Sequence, residues 1–200
     1  MSANPAPAAC GPAAIAPAAT GADLVRRAQL GDVSAYELLV RRHELHARRL
    51  ARTITRDAGD AEDATQEAFL KAYRSLGRFR PHAPFKPWFL KIVANEARSR
   101  RRARARAAAI TARATAEQDE RTLELALDGE AVAAEHRQLL LDAVGRLPPK
   151  FREVVTCRYV LDLSERETAS ALGIRPGTVK SRLARALERL EYELGRAGAR

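Results

Sequence analysis

The sequence predicts an all-α protein: two small helical domains joined by a flexible acidic linker, the C-terminal one a helix-turn-helix. Three observations carry this. Apolar residues recur at helical spacing, and runs rich in Val, Ile and Tyr are almost absent. The apolar content is mostly Ala and Leu, which suits thin helical layers better than a β core. Finally, LGIRPGTVKSRLARALERL, Leu172 to Leu190, breaks one helix and restarts another at once, with Lys and Arg at the new start.

Two hundred residues allow one domain or two small ones. There are 35 Lys and Arg against 25 Asp and Glu, a net charge of +10 at pH 7. That balance points to a polyanionic partner, nucleic acid or an anionic membrane surface. The charge is uneven: Arg98 to Arg106 is a basic block, and Glu117 to Glu135 is acidic. Cys10 and Cys157 lie far apart without CxxC spacing, so no disulfide scaffold or zinc site is expected and a reducing cytoplasm fits. No apolar run approaches the ~18 residues that span a bilayer, so no stable membrane insertion is expected. No nucleophile–base pair, phosphate loop or metal cluster argues for an enzyme, a cofactor or a bound metal. His43 and His46, three apart on a helix, lack a third ligand.

The elements follow in order. Residues 1–21 read as a disordered Ala/Pro tail. A helical block from Ala22 aligns Tyr36, Leu39, Val40, His43, Ala47, Leu50 and Ile54 on one face. Gly59 is expected to end it and Asp60 to cap the next helix. That helix carries Ala61, Ala68, Phe69, Ala72, Tyr73 and Leu76 on its apolar side, with Glu62, Asp63 and Glu67 near the positive end of its dipole. Pro81, Pro84 and Pro87 make GRFRPHAPFKP a stiff loop. A helix beginning near Trp88 has an apolar stripe (Trp88, Phe89, Ile92, Val93) that fades into Arg and Ala, as if leaving the core for solvent or a polyanion. Residues 107–135 read as linker, with Leu123, Leu125 and Leu127 its few large apolar residues. Helices resume near His136.

In the helix-turn-helix, Ser164 and Glu167 stand at capping-box spacing. Gly173 can take the left-handed conformation that stops a helix. Pro176 and Gly177 break the chain, and Thr178 leads the second helix. Val179, Leu183, Ala186, Leu187, Leu190 and Leu194 continue as its apolar face. Lys180, Ser181, Arg182, Ala184 and Arg185 fall off that face at the helix start, where such motifs reach base edges in the major groove. With Arg175 and Thr178 they form the expected DNA-reading set, because Lys and Arg suit guanine edges and phosphates.

Two blocks together resemble bacterial RNA polymerase sigma factors. DAEDATQEAFLKAYRSLGRF followed by PFKPWFLKIVANEARSRRRAR resembles their second conserved region. LPPKFREVVTCRYVLDLSERETASALGIRPGTVKSRLARALERL resembles their fourth. Nothing like the first or third region lies between, a layout similar to the extracytoplasmic-function (ECF) group. The resemblance implies a region 2-like domain at 22–106, the linker at 107–135 and a region 4-like domain at 136–195. It implies a cytoplasmic initiation factor that binds core RNA polymerase and directs it to promoter DNA.

The resemblance also assigns roles. Asp60, Glu62, Asp63, Gln66 and Glu67 would face the clamp helices of the largest polymerase subunit. Phe79, Arg80, Phe85, Trp88 and Asn95 would read and melt the −10 element, and Arg98, Arg101 and Arg102 would track its phosphates. The recognition helix would read the −35 element. The linker would thread the polymerase's catalytic cleft and RNA exit channel. Many members are held by an anti-sigma factor. Ala64 and Thr65 replace the large apolar residues usual in relatives, so looser packing is expected; His43, where they often carry an aromatic, reads as a half-buried core residue. Two other readings stay open: a conventional helix-turn-helix transcriptional regulator that does not replace the sigma subunit, and a scaffolding helical protein with incidental charge.

Overall fold

The computed structural model describes residues 20–80, 83–111 and 131–198. Most of the Ala/Pro tail, Pro81, Cys10 and the three linker leucines lie outside the described residues. Among the described residues there is no strand, and the helices are α1 (Gly21–Gln29), α2 (Val33–Thr55), α3 (Ala58–Ser75), α4 (Phe85–Thr111), α5 (Ala131–Arg146), α6 (Pro149–Val155), α7 (Glu165–Leu172) and α8 (Pro176–Gly198). A 3-10 turn (Leu76–Arg78) follows α3, and a π-helical turn (Thr156–Val160) follows α6. No described helix is long and apolar enough to cross a membrane.

The first three helices start alike. Thr20, Asp32 and Asp57 each accept a hydrogen bond from the backbone N–H three residues on, which satisfies one of the orphan donors of a helix start. The break before α3 thus lies at Arg56 and Asp57, not at Gly59 and Asp60 as expected. Arg56 takes the left-handed conformation (φ 61°) that ends α2, and Asp57, immediately after it, faces the free N–H of Asp60. Gly59 and Asp60 lie inside the first turn. Likewise α4 begins at Phe85, three residues before Trp88. Pro87 fits its first turn because the missing N–H has no partner there in any case. The same helix runs five residues past Arg106.

Helices α2, α3 and α4 form a three-helix layer braced by α1. Leu39, Leu50 and Ile54 meet Ala61, Ala64, Ala68 and Ala72, with Phe89, Leu90 and Val93 closing the core. The expectation of loose packing at Ala64 and Thr65 is overturned. Both are buried, and the Thr65 hydroxyl donates to the Ala61 carbonyl at 2.8 Å; small side chains let the helices approach closely. Tyr73, expected on the apolar side of α3, is 44% exposed. His43 is buried more deeply than expected, with ring centroids 5.3 Å from Phe85 and 6.3 Å from Phe89. Burial, with His46, Lys86 and Arg42 nearby, pushes its pKa down to about 4.

In the C-terminal half, Leu141, Val144, Leu147, Phe151, Val155, Ala186 and Leu190 form their own cluster. The other side of this half does not stand apart. Val154, Cys157, Leu161, Leu163, Ala169, Leu172 and Val179 join the buried cluster of α2–α4. Polar contacts cross the same junction. The Thr53 and Thr156 hydroxyls meet at 3.3 Å, and Lys86 Nζ donates to the Leu161 carbonyl at 2.6 Å. Arg98 donates to the Leu172 carbonyl at 3.1 Å and to Glu153 at 2.6 Å. Cys157 is buried there, its thiol pushed up to about 12 by burial.

His43 should make stability pH-dependent. The fold holds it neutral below its ordinary range, so its contribution is complete above about pH 6.5 and is lost as pH falls towards 4. Wild type should lose about 2 kcal/mol more than His43→Leu between pH 7 and pH 5 in urea unfolding. Equal losses would mean that folded His43 carries a proton.

Candidate nucleic-acid interface

The helix-turn-helix is built from its caps. Ser164 accepts from the Glu167 N–H, and the Glu167 carboxylate accepts from the Ser164 N–H at 2.8 Å, a complete capping box. Gly173 takes φ 67°, which ends α7, and the Ile174 N–H reaches back to the Ala169 carbonyl at 3.0 Å. The turn is shorter than expected. Pro176 and Gly177 lie inside the first turn of α8, and the Arg175 carbonyl accepts from both Thr178 and Val179. Pro is favoured at that position because its ring pre-sets the helical φ. Val179, Ala186 and Leu190 are buried, whereas Leu187 is partly exposed. Arg175, Lys180, Ser181, Ala184 and Arg185 stand exposed on the outer side; Thr178 and Arg182 are half-buried. This start of α8 offers cationic and hydroxyl donors to a polyanion.

The second surface is the loop before α4. Phe79 and Phe85 are buried, so neither presents a free face for a base. Their rings pack on Trp88, at 4.7 and 5.4 Å between centroids, and hold it half-exposed. The Gln29 side-chain amide, from α1, donates to the Leu76 and Phe79 carbonyls at 2.9 and 2.8 Å and ties the loop down. Nothing in the sequence marks Gln29, because its partners lie some fifty residues away. Arg80, Asn95 and Arg102 are exposed. Phe79, Arg80 and Trp88 line an open cleft of about 370 Å³, and Arg166, Glu167 and Ser170 of α7 form its other wall.

The Arg block does not simply leave the core. Arg98 and Arg101 turn to Glu153, at 2.6 and 3.9 Å. Arg100 pairs with Asp63 at 2.8 Å. Arg104 bridges Asp57 and Asp60 at 2.5 and 3.3 Å and holds the Asp57 carboxyl below its usual range. A groove of about 540 Å³ at the domain junction gathers Arg98, Arg101, Lys150 and Arg182 around Glu153.

The third surface is the outer face of α3. Asp60 and Asp63 are engaged with α4, and Glu67 lies 3.8 Å from Lys71, which also pairs with Glu96 at 2.7 Å. Glu62 and Gln66 are exposed and rim a groove of about 640 Å³ floored by Tyr36, Val40, Phe69, Leu70 and Tyr73. The Tyr36 hydroxyl donates to the Phe69 carbonyl at 2.6 Å, and its ring lies 4.9 Å from Tyr73. Leu70 and Tyr73 were not anticipated as part of this surface, although α3 carries more apolar residues than one buried face needs. Among the described residues, no group of three His, Cys, Asp or Glu is placed to hold a metal.

Two family models match the chain: Sigma-70 region 2 over residues 39–107 and Sigma-70, region 4 over residues 137–190. The ECF RNA polymerase sigma factor SigM of Mycobacterium tuberculosis is 38% identical over 176 residues, 88% of this chain and 85% of that protein. The chain belongs to the ECF RNA polymerase sigma factors. The ECF RNA polymerase sigma-E factor of Escherichia coli is also similar, at 32% identity over 86% of this chain and 92% of its own. Among solved structures, CnrH in complex with the cytosolic domain of CnrY is similar, with a TM-score of 0.65 and 25% identity over 88% of this chain and 97% of that one. As a sigma factor the protein directs promoter-specific transcription initiation. The region 2 match accounts for the N-terminal half, which a conventional helix-turn-helix regulator would not require. Helix α1, with Gln29, precedes that match.

Gln29→Ala should cost about 1–2 kcal/mol in urea unfolding, since two carbonyls lose a donor. Hydrogen exchange should quicken first in residues 76–80. A uniform change across α2–α4 would instead mark Gln29 as a general core contact.

Proposed function

We propose that this sigma factor grips its promoter at two points while docked on core RNA polymerase. The residue 136–195 domain reads the −35 element through Lys180, Ser181, Ala184 and Arg185, with Arg175, Thr178 and Arg182 at the edge of the contact. The residue 22–106 domain reads and melts the −10 element. In it Trp88 is the half-exposed ring, Phe79 and Phe85 its support, and Arg80 and Asn95 the polar contacts. A captured, unstacked base offsets part of the cost of opening the duplex. Arg98, Arg101 and Arg102 then follow phosphates.

The α3 groove receives the clamp helices of the largest polymerase subunit. Glu62 and Gln66 supply polar contacts at its rim, and Leu70 and Tyr73 supply apolar area. Asp60, Asp63 and Glu67 act mainly by bracing α3. The protein works in the cytoplasm beside the polymerase, contributes no catalytic group of its own, and has residues 107–135 as the connector between its two grips. CnrH was solved with the cytosolic domain of CnrY, and an anti-sigma factor is the regulatory partner this reading carries.

The observation that supports it best is the pairing of an exposed basic recognition helix with a ring-supported Trp88 loop in one chain. Run-off transcription with purified core polymerase over a promoter library tests it directly. Initiation at a shared two-part motif is expected; promoter binding by the chain alone, with transcription still needing another sigma factor, would overturn it. Arg185→Ala should cost about 1–3 kcal/mol of discrimination at one −35 position. A loss equal for all sequences would make Arg185 a phosphate contact only.

A further inference from the structure

Helix α1 lies before the Sigma-70 region 2 match, which begins at residue 39. It is nonetheless fixed at both ends. The Thr20 hydroxyl caps its start, and Leu24, Val25 and Ala28 are buried in the cluster of the three-helix layer. At its end the Leu30 N–H donates to the Arg26 and Arg27 carbonyls at 3.2 and 3.0 Å. Arg27 pairs with Asp32, the cap of α2, at 2.7 Å. Gln29, the last residue of α1, therefore extends from a backbone held on both sides.

Its side chain reaches the turn between α3 and α4. Nε2 donates to the Leu76 and Phe79 carbonyls at 2.9 and 2.8 Å. Two acceptors demand a donor, which settles which end of the amide faces them. These carbonyls stand at the two ends of the 3-10 turn: Leu76 opens it, Phe79 follows it, and the Phe79 N–H donates to the Leu76 carbonyl at 3.0 Å. One amide group thus staples the turn across both ends. Gly77, inside the turn, has nothing within 4 Å of where a Cβ would lie, so packing does not hold that side. The Phe79 carbonyl belongs to the planar peptide that carries the Arg80 N–H, so fixing it also aims Arg80. The Phe79 ring lies 4.7 Å from Trp88 and 5.8 Å from Phe85 between centroids, and it carries the same constraint to the half-exposed indole.

We propose that Gln29 is a positioning residue for promoter melting: without touching DNA, it holds the turn between α3 and α4 in the geometry that captures an unstacked −10 base. This rests on the −10 reading given above for Trp88 and Arg80. Capturing a base requires its receiver to be ordered, and a receiver ordered beforehand keeps more of the contact energy. Without the staple, the turn must be ordered by the DNA during melting itself. Closed-duplex binding, carried by the recognition helix and the arginine cations, does not draw on the turn. Loss of the Gln29 donors therefore slows opening and spares closed-complex affinity.

Two variants of the full chain test this. Gln29→Met keeps the length of the side chain and removes both donors, whereas Gln29→Lys keeps a donor of similar reach. Each is assembled with core polymerase on a promoter fragment selected by run-off transcription, and opening is followed by the permanganate reactivity of −10 thymines. Gln29→Met should slow opening at least about fivefold while its affinities for core polymerase and for the closed promoter stay within about twofold of wild type. Gln29→Lys should open within about twofold of the wild-type rate. Base preference should flatten at one −10 position in Gln29→Met and stay unchanged across the −35 element.

An unchanged opening rate in Gln29→Met rejects the proposal. So do equal losses of closed-complex affinity and opening, or a Lys variant as slow as the Met variant, because both mark a general contribution to the fold. If Gln29→Met does not fold, Gln29→Glu takes its place. That carboxylate sets an acceptor against two carbonyls and should slow opening where Gln29→Lys does not; equal rates for the two reject the proposal. Failure of wild type to open any promoter with core polymerase would instead reject the −10 reading. Unaltered hydrogen exchange over residues 76–80 in the free Gln29→Met chain would reject the staple, whatever the polymerase does.

Discussion

The region 2 domain depends on a seam of small side chains along α3. Ala61, Ala64, Ala68 and Ala72, with Thr65, are the buried residues of α3, and Phe69 flanks them, stacked on Phe89 of α4 at 4.5 Å between ring centroids. No fully buried side chain of α3 is longer than a threonine, so α3 sits deep between its neighbours and cannot rotate without clashing or opening a void, both costly in a close-packed core. Its buried face is settled, and so are its outer ones. Glu62 and Gln66 point to solvent, and Leu70 and Tyr73 are left exposed beside them, Tyr73 with its ring against that of Tyr36. The groove with Tyr36 and Val40 is a by-product of this seam. So is the position of the 3-10 turn, and with it the loop that carries Phe79 and Arg80.

Electrostatics is organised by α4. Arginines along one helix serve three environments. Arg100 and Arg104 neutralise acids on α3, Arg98 and Arg101 turn towards Glu153, and Arg102 faces solvent. A buried carboxylate such as Glu153 demands a cation, because the cost of leaving it unpaired far exceeds the modest value of a surface pair. That demand draws the region 4 domain against α4. The same helix therefore carries cations suited to phosphate and the contact that keeps two of them from it.

The aromatic residues show a similar division. Phe79 and Phe85 contribute by being buried: their packing removes freedom from Trp88, which keeps one exposed side. Gln29 adds two hydrogen bonds from a helix that precedes the region 2 match. A loop with several prolines would otherwise be stiff locally yet free to swing as a unit. Anchoring its carbonyls to α1 converts local stiffness into a defined position.

Much of the fold was legible in the sequence, and the reason is local. Helical periodicity, the Ser164–Glu167 capping box and the Gly173 stop are properties of residues three to four apart, where backbone geometry alone sets the outcome. The exposed start of α8 follows from them, because a helix with one apolar stripe must present its other side to solvent. Boundaries such as Asp57 and Phe85 were misplaced by three residues, since Gly and Pro are tolerated in a first turn as well as before it. What only the tertiary structure decided involves partners far apart in the chain: Gln29 with Phe79, Arg104 with Asp57, and Arg98 with Glu153. An arginine has the same sequence signature whether it meets a phosphate, an internal acid or water. Which of these it meets is settled by where packing brings the opposite charge.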